Sequence, residues 1–102
     1  MIITKAGQIQ KIVGEVYDEV VRACTLHDPM NSPHEAESVI REEFEEYWDE
    51  VKRYNPHKPG RDTRPRQREE LIQLAAMAMR AILDTIDFGR VYDTPLPTPV
   101  AE

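Results

Sequence analysis

Between about residues 67 and 88 the chain is apolar around most of a helical circumference. The apolar side chains of this segment are Leu71, Ile72, Leu74, Ala75, Ala76, Met77, Ala78, Met79, Ala81, Ile82, Leu83 and Ile86. A helix with this pattern is expected to be buried on nearly every side. A chain of 102 residues can bury only a modest core, so we expect other helices of the same chain and a second copy to cover it.

Two further helices are predicted ahead of this segment. Residues 6–27 carry apolar side chains at three- and four-residue spacing and end before Pro29, because a residue preceding proline is pushed away from helical angles. Residues 33–54 form the second helix, with Ser32 as N-cap, a proline at the first helical position and Glu35 completing a reciprocal capping box. There is no alternating strand pattern, so we expect an all-α fold, a helical bundle completed by self-association.

The remaining segments are predicted to be irregular. Residues 55–66, NPHKPGRDTRPR, contain three prolines and a glycine and are expected to form a loop. Gly89 is a natural terminator for the third helix, and the proline-rich residues 91–102 are expected to be extended. The chain is therefore interpreted as one helical domain, residues 1–90, followed by a tail.

The charge distribution excludes some classes of partner. The net charge of −6 is the balance of −8 over residues 1–50, +6 over residues 51–68 and −4 over residues 69–102. An acidic protein whose only basic segment is a proline-broken loop is not expected to bind nucleic acid. Such a segment beside acidic helices suits a ligand that carries phosphates and a metal ion together.

Hydropathy and cysteine content predict the location. No apolar run approaches the ~18 residues that a membrane span requires, so no membrane insertion is expected. The N-terminal residues lack the pattern of a secretion signal, and the single Cys24 cannot form an internal disulfide. These features predict a cytoplasmic protein.

The acidic run EEFEE, residues 42–46, divides into two groups on the second helix. At roughly 100° per residue, Glu43 falls inside the apolar sector and Glu46 on its border, whereas Glu42 and Glu45 lie on the far side. An ionised carboxylate on an inner face is costly unless a proton, an ion pair or a metal neutralises it. The alternative is a solvated helix face with ion pairs to the basic residues that follow.

The third helix has a matching pair of polar residues. Glu70 and Gln73 are three residues apart and share one side of the helix. Antiparallel packing of the second and third helices would bring them next to Glu43 and Glu46. That arrangement predicts an oxygen-only site suited to Mg²⁺ or Mn²⁺.

These residues carry a resemblance to a known family. EEFEE, followed by Glu70 and Gln73 on a later helix, resembles the E-E-x-x-E and E-x-x-D motifs of the MazG-like, all-α nucleoside triphosphate pyrophosphohydrolase superfamily. The similarity covers about residues 32–88. It implies a helical bundle, usually dimeric or tetrameric, that hydrolyses a nucleoside triphosphate between its α- and β-phosphates with Mg²⁺, giving the monophosphate and pyrophosphate.

The resemblance also implies the roles of individual residues. Glu43, Glu46 and Glu70 would be metal ligands, and Gln73 stands where the family has an acid. A carboxylate, Glu43 or Glu46, would orient or deprotonate the attacking water. An amide oxygen can coordinate Mg²⁺ but supplies no charge. Three interpretations are therefore open: an active enzyme with a different metal requirement, a protein that binds nucleotide without hydrolysing it, or an enzyme with a different substrate.

Several other residues are candidates for substrate binding. Lys52, Arg53 and Arg80 are predicted to meet phosphates. Trp48 is a candidate for stacking on a base, with core or subunit-interface packing as its alternative.

The competing hypothesis for the whole chain is a non-catalytic helical homo-oligomer that binds a nucleotide or a protein partner. Gln73 and the apolar third helix both favour that alternative.

Overall fold

The computed structural model describes residues 3–87 as helices joined by two loops, with no strand in that range. The helices are α1 (Lys5–Leu26), α2 (Pro33–Arg53) and α3 (Arg64–Ala81), and a π-helical segment, Ile82–Ile86, continues α3. The prediction of an all-α fold is confirmed. Phe88, Gly89 and the tail, residues 91–102, lie outside the described residues. Among the described helices, none is long and apolar enough to cross a membrane.

The N-terminus of α2 follows the predicted capping pattern with one difference. The Ser32 hydroxyl accepts a hydrogen bond from the backbone N–H of Glu35 at 3.1 Å, as expected for an N-cap. The Glu35 carboxylate does not return to Ser32. It accepts instead from the backbone and side-chain nitrogens of Asn31, at 3.3 and 3.2 Å. The predicted start of α2 is therefore correct, and the reciprocal half of the capping box is displaced by one residue.

Helix α3 begins three residues earlier than predicted. It starts at Arg64, with Pro65 in the first turn, where the missing N–H of proline removes a donor that has no helical partner anyway. Thr63 occupies the N-cap position, but its hydroxyl donates to the Glu50 carbonyl at 2.5 Å and accepts from Gln67 at 3.1 Å. These bonds fix the start of α3 against the end of α2.

The core is small and lies where the three helices meet. Its buried members are Val20, Ala23, Met30, Ala36, Ala76 and Met77. Helix α3 packs along α2 and also against α1. All three helices, and the loop between α1 and α2, therefore contribute to one core.

The expected burial of the third helix on nearly every side is wrong for a single copy of the chain. In this helical segment only Ala76, Met77 and Arg80 are buried. Its exposed apolar side chains include Leu71, Met79, Ile82, Leu83 and Ile86. On α1 the exposed apolar side chains include Ile9, Ile12, Val13 and Tyr17. One chain has too few helices to cover both surfaces.

Candidate metal site

Three carboxylates from α2 and α3 form a cluster, which we call the acid triad. Glu43, Glu46 and Glu70 each offer an oxygen within 4.8 Å of the others. Glu43 and Glu46 are three residues apart and therefore share one side of α2. Glu42 and Glu45 are exposed on the other side, as the helical pattern predicted.

Antiparallel packing of α2 and α3 creates the triad in the groove between the two helices. At the end of this groove nearest the loop that joins α2 to α3, Nη1 of Arg66 on α3 lies 3.9 Å from the carboxylate of Glu50 on α2. At the other end, Gln73 of α3 and Glu43 of α2 line the same cavity. Residue numbers thus rise along α3 as they fall along α2. The triad lies along this groove, with Glu43 beside the cavity.

Two triad oxygens lack partners. Glu43 Oε2 and Glu70 Oε2 are buried, and neither has a hydrogen-bond partner within residues 3–87. A buried carboxylate oxygen without a partner is costly, since it has lost water without gaining a donor. A cation would remove that cost.

The pKa values of two triad members, Glu43 and Glu70, are raised. Burial raises the pKa of Glu43 to about 7, and the neighbouring charges of Glu46 and Glu70 add to the increase. Burial is also the largest cause of the raised pKa of Glu70. A hydrogen bond to Glu46 and the charges of Glu46 and Glu50 raise it further. Without a cation, the cluster is therefore not fully ionised at neutral pH.

The donor set of the triad fits a hard divalent cation. Its coordinating atoms are carboxylate oxygens, which suit Mg²⁺ or Mn²⁺, and no thiolate or imidazole from residues 3–87 takes part. The two unpartnered oxygens belong to different helices, so one cation could satisfy both. Glu43, Glu46 and Glu70 would hold it, and these are the residues that the motif resemblance implies as ligands.

A cavity of about 390 Å³ opens beside the triad. This volume is within the range of small-molecule sites. Gln73, Met77 and Arg80 of α3 line it together with Glu43. Gln73 is half-buried, and its carboxamide makes no hydrogen bond to any residue in the range 3–87. The side chain predicted for the fourth ligand position therefore lines the cavity, three residues after Glu70 on α3.

The residues predicted to bind substrate lie in different places. Lys52 is exposed and pairs with Asp49 at 3.2 Å. Arg53 is exposed and pairs with Glu50 at 3.4 Å. Trp48 is 48% exposed, and neither it nor the two cations lines the cavity.

Arg80, by contrast, is buried in the cavity wall, where its Nη2 donates to the Asp28 carbonyl at 3.0 Å. It is ten residues beyond Glu70, which places it roughly 15 Å along the helix axis. Arg80 is thus part of the cavity and not of the triad.

Sequence reasoning missed Arg66 as a site residue. Arg66 and Arg53 flank the half-buried carboxylate of Glu50, one turn beyond Glu46. Arg66 precedes Glu70 by four residues, so the two share one face of a helix that begins at Arg64. The signal was the Thr-Arg-Pro sequence, a helix start hidden in a basic, proline-rich stretch.

Comparison of the chain with models of protein families, with curated proteins and with solved structures finds no match. Any function assigned to the chain therefore rests on its own residues and on the motif resemblance that they carry.

Proposed function

We propose that this chain is a MazG-like nucleotide pyrophosphohydrolase, which hydrolyses a ribo- or deoxyribonucleoside triphosphate to the monophosphate and pyrophosphate with Mg²⁺, or with Mn²⁺ in its place. The observation that carries the proposal is the acid triad, in which Glu43 and Glu70 each bury an unpartnered oxygen. Its members are the residues that the motif resemblance implies as metal ligands. Gln73 takes the fourth position with its carboxamide oxygen.

The triad supplies both metal binding and base catalysis in this proposal. When bound, the cation would neutralise phosphate oxygens and stabilise the negative charge that develops during hydrolysis. Glu43 and Glu70 hold it with their buried oxygens. Glu46 is the exposed member and is reached directly by bulk water, so it is the better placed of the two candidate bases to orient and deprotonate the attacking water.

The pyrophosphate leaving group would bind at the basic end of the groove, beside Arg53 and Arg66. Arg53 and Arg66 share the carboxylate of Glu50 at 3.4 and 3.9 Å, and both side chains are otherwise exposed. Polyphosphate oxygens are stronger acceptors for a guanidinium than a single shared carboxylate. Lys52 lies further out and would contribute through long-range attraction.

A substrate panel tests the proposal. The purified protein is incubated with ribo- and deoxyribonucleoside triphosphates and Mg²⁺ or Mn²⁺, and pyrophosphate and orthophosphate are assayed separately. We expect pyrophosphate and monophosphate in equal amounts, with no activity in EDTA. Absence of turnover on every triphosphate, together with absence of metal binding, would refute the proposal.

The second candidate is a non-catalytic helical homo-oligomer that binds a nucleotide or a protein partner. The amide at Gln73 and the exposed apolar side chains of α1 and α3 favour it. It predicts nucleotide binding without pyrophosphate release in the same panel. Both candidates share self-association into a homodimer or homotetramer and a cytoplasmic location, which we propose on the exposed apolar surface and the single free Cys24.

A further inference from the structure

The cavity beside the triad is not used by the proposed metal chemistry. Its lining has more carboxylates than arginines: Glu19, Asp28, Glu35 and Glu43 against Arg22 and Arg80. Arg22 is already paired with Glu19 at 3.1 Å. A second phosphate group is therefore disfavoured there, while Ala23, Val39 and Met77 offer apolar surface. The cavity suits a neutral ring.

Arg80 is a buried cation with too few acceptors. It is 5% exposed, and its Nε has no hydrogen-bond partner among the described residues. Nη2 donates to the Asp28 carbonyl at 3.0 Å and lies 4.0 Å from the Asp84 carboxylate. Within residues 3–87, Nη1 reaches only the Met77 thioether at 3.6 Å, which is a weak acceptor. A ligand oxygen in place of that flexible thioether would give Nη1 a strong acceptor.

Gln73 supplies a second donor on the same side of α3. A carboxamide has an oxygen at one end and an amino group at the other, whereas a carboxylate offers acceptors only. With its oxygen directed to a cation in the triad, the amino group of Gln73 is left to donate into the cavity. An acid at this position would have no donor to offer.

We propose that the cavity binds the nucleobase of the substrate, and that Gln73 and Arg80 select bases with a carbonyl oxygen on the exposed edge. This inference rests on the proposed function for its choice of ligand. Uracil, thymine and guanine present such an oxygen, whereas cytosine and adenine present an amino group at the equivalent position. Two protein donors facing an amino group would be left without an acceptor, which a buried site penalises strongly.

Binding of neutral nucleosides, which carry no phosphate to hydrolyse, tests the inference independently of catalysis. Uridine and cytidine are compared by ligand-observed NMR titration of the full chain in millimolar Mg²⁺, because they have the same ring size and differ at this edge. We expect uridine to bind about tenfold more tightly, roughly threefold for each of the two hydrogen bonds. Gln73→Met, which keeps the length of the side chain and removes its donors, should reduce the preference to about threefold, because Arg80 still donates.

Gln10→Met is the matched control, since Gln10 is exposed on α1 and the preference for uridine should persist in that variant. Equal binding of uridine and cytidine to the wild-type chain, absence of nucleoside binding, or an unchanged preference in Gln73→Met would each overturn the inference. A uridine preference without any pyrophosphate release would sink the proposed function alone. Pyrophosphate release without base preference would sink the cavity assignment alone.

Discussion

Glu43 differs from an ordinary surface glutamate in a way that links folding to pH. Its pKa is raised from 4.5 to about 7 by burial and by the other acids of the triad. Between these two values the folded chain holds a proton that the unfolded chain has released. The free energy of unfolding therefore falls as pH rises through this window. The full shift would correspond to about 3.4 kcal/mol, and because water reaches this half-buried carboxylate, the penalty is on the order of 2 kcal/mol once Glu43 is ionised.

The metal-free protein should accordingly melt at a lower temperature at pH 8 than at pH 5.5. The proposed Mg²⁺ site requires the ionised triad, so the increase in Tm that Mg²⁺ produces should grow over the same interval. Thermal melts followed by circular dichroism, in EDTA and in millimolar Mg²⁺, measure both trends. An Mg²⁺ effect that is the same at both pH values would contradict the linkage.

Glu43→Gln should abolish pyrophosphate release, with a loss of at least about a hundredfold. The amide removes one ligand charge, and it also removes the carboxylate whose ionisation destabilises the fold. The variant should therefore be as stable as the wild-type chain at pH 8, or more stable. Glu42→Gln is the control, because Glu42 is exposed on the opposite side of α2. Retained activity in Glu43→Gln would refute its assignment as a ligand.

Gln73→Asp should tighten Mg²⁺ binding, because a carboxylate adds charge where the amide supplies only a dipole. Competition between Mg²⁺ and Mn²⁺, followed by electron paramagnetic resonance, gives the affinities. Gln10→Asp adds the same charge at an exposed position of α1 and corrects for the change in net charge. Equal affinities in the two variants would place Gln73 outside the coordination sphere.

At the scale of the helices, local chemistry explains which boundaries could be predicted. Ser32 and the proline after it mark the start of α2 in an otherwise neutral context, so the signal is clear. The start of α3, with Thr63 at the N-cap position and Pro65 in the first turn, is masked by the basic residues on both sides of Thr63. The π-helical segment Ile82–Ile86 has no sequence signature. Its geometry depends on tertiary contacts such as the bond from the Met30 N–H to Asp84 at 2.9 Å.

The N-cap of α2 can be tested with two identical substitutions. Ser32→Ala should lower the free energy of unfolding by about 1 kcal/mol, because the N–H of Glu35 loses its acceptor. Ser38→Ala in the middle of the same helix should have little effect or be slightly stabilising, since the Ser38 hydroxyl only bonds back to the His34 carbonyl. Urea denaturation of both variants measures the difference. Equal losses would show that the cap contributes nothing beyond helix propensity.

At the scale of the whole molecule, the triad could be predicted and the cavity could not. Glu43, Glu46 and Glu70 lie on helix faces that periodicity defines, and antiparallel packing is the simplest way to join adjacent helices. The cavity also needs Asp28 and Met30 from the loop between α1 and α2, whose path no local pattern encodes. Hydrophobic periodicity likewise shows that a surface is to be covered, but not whether the same chain or another copy covers it.

Self-association is the prediction that belongs to this scale. Ile9 and Val13 are one turn apart on α1 and are 53% and 61% exposed, which is unusual for apolar neighbours on an amphipathic helix. If a second copy covers them, Val13→Glu buries an unpaired charge and should shift a dimer or tetramer to monomer in sedimentation velocity at tens of micromolar protein.

Lys11→Gln makes the same change in net charge on the same helix, and Lys11 is exposed on the side opposite Val13, so that variant should sediment as the wild-type chain does. A wild-type chain that is monomeric at these concentrations would refute self-association. A shift of equal size in both variants would mean that general charge repulsion, and not an apolar interface at Val13, controls assembly. Because the acid triad is contained within one chain, a monomeric Val13→Glu variant should still bind Mg²⁺.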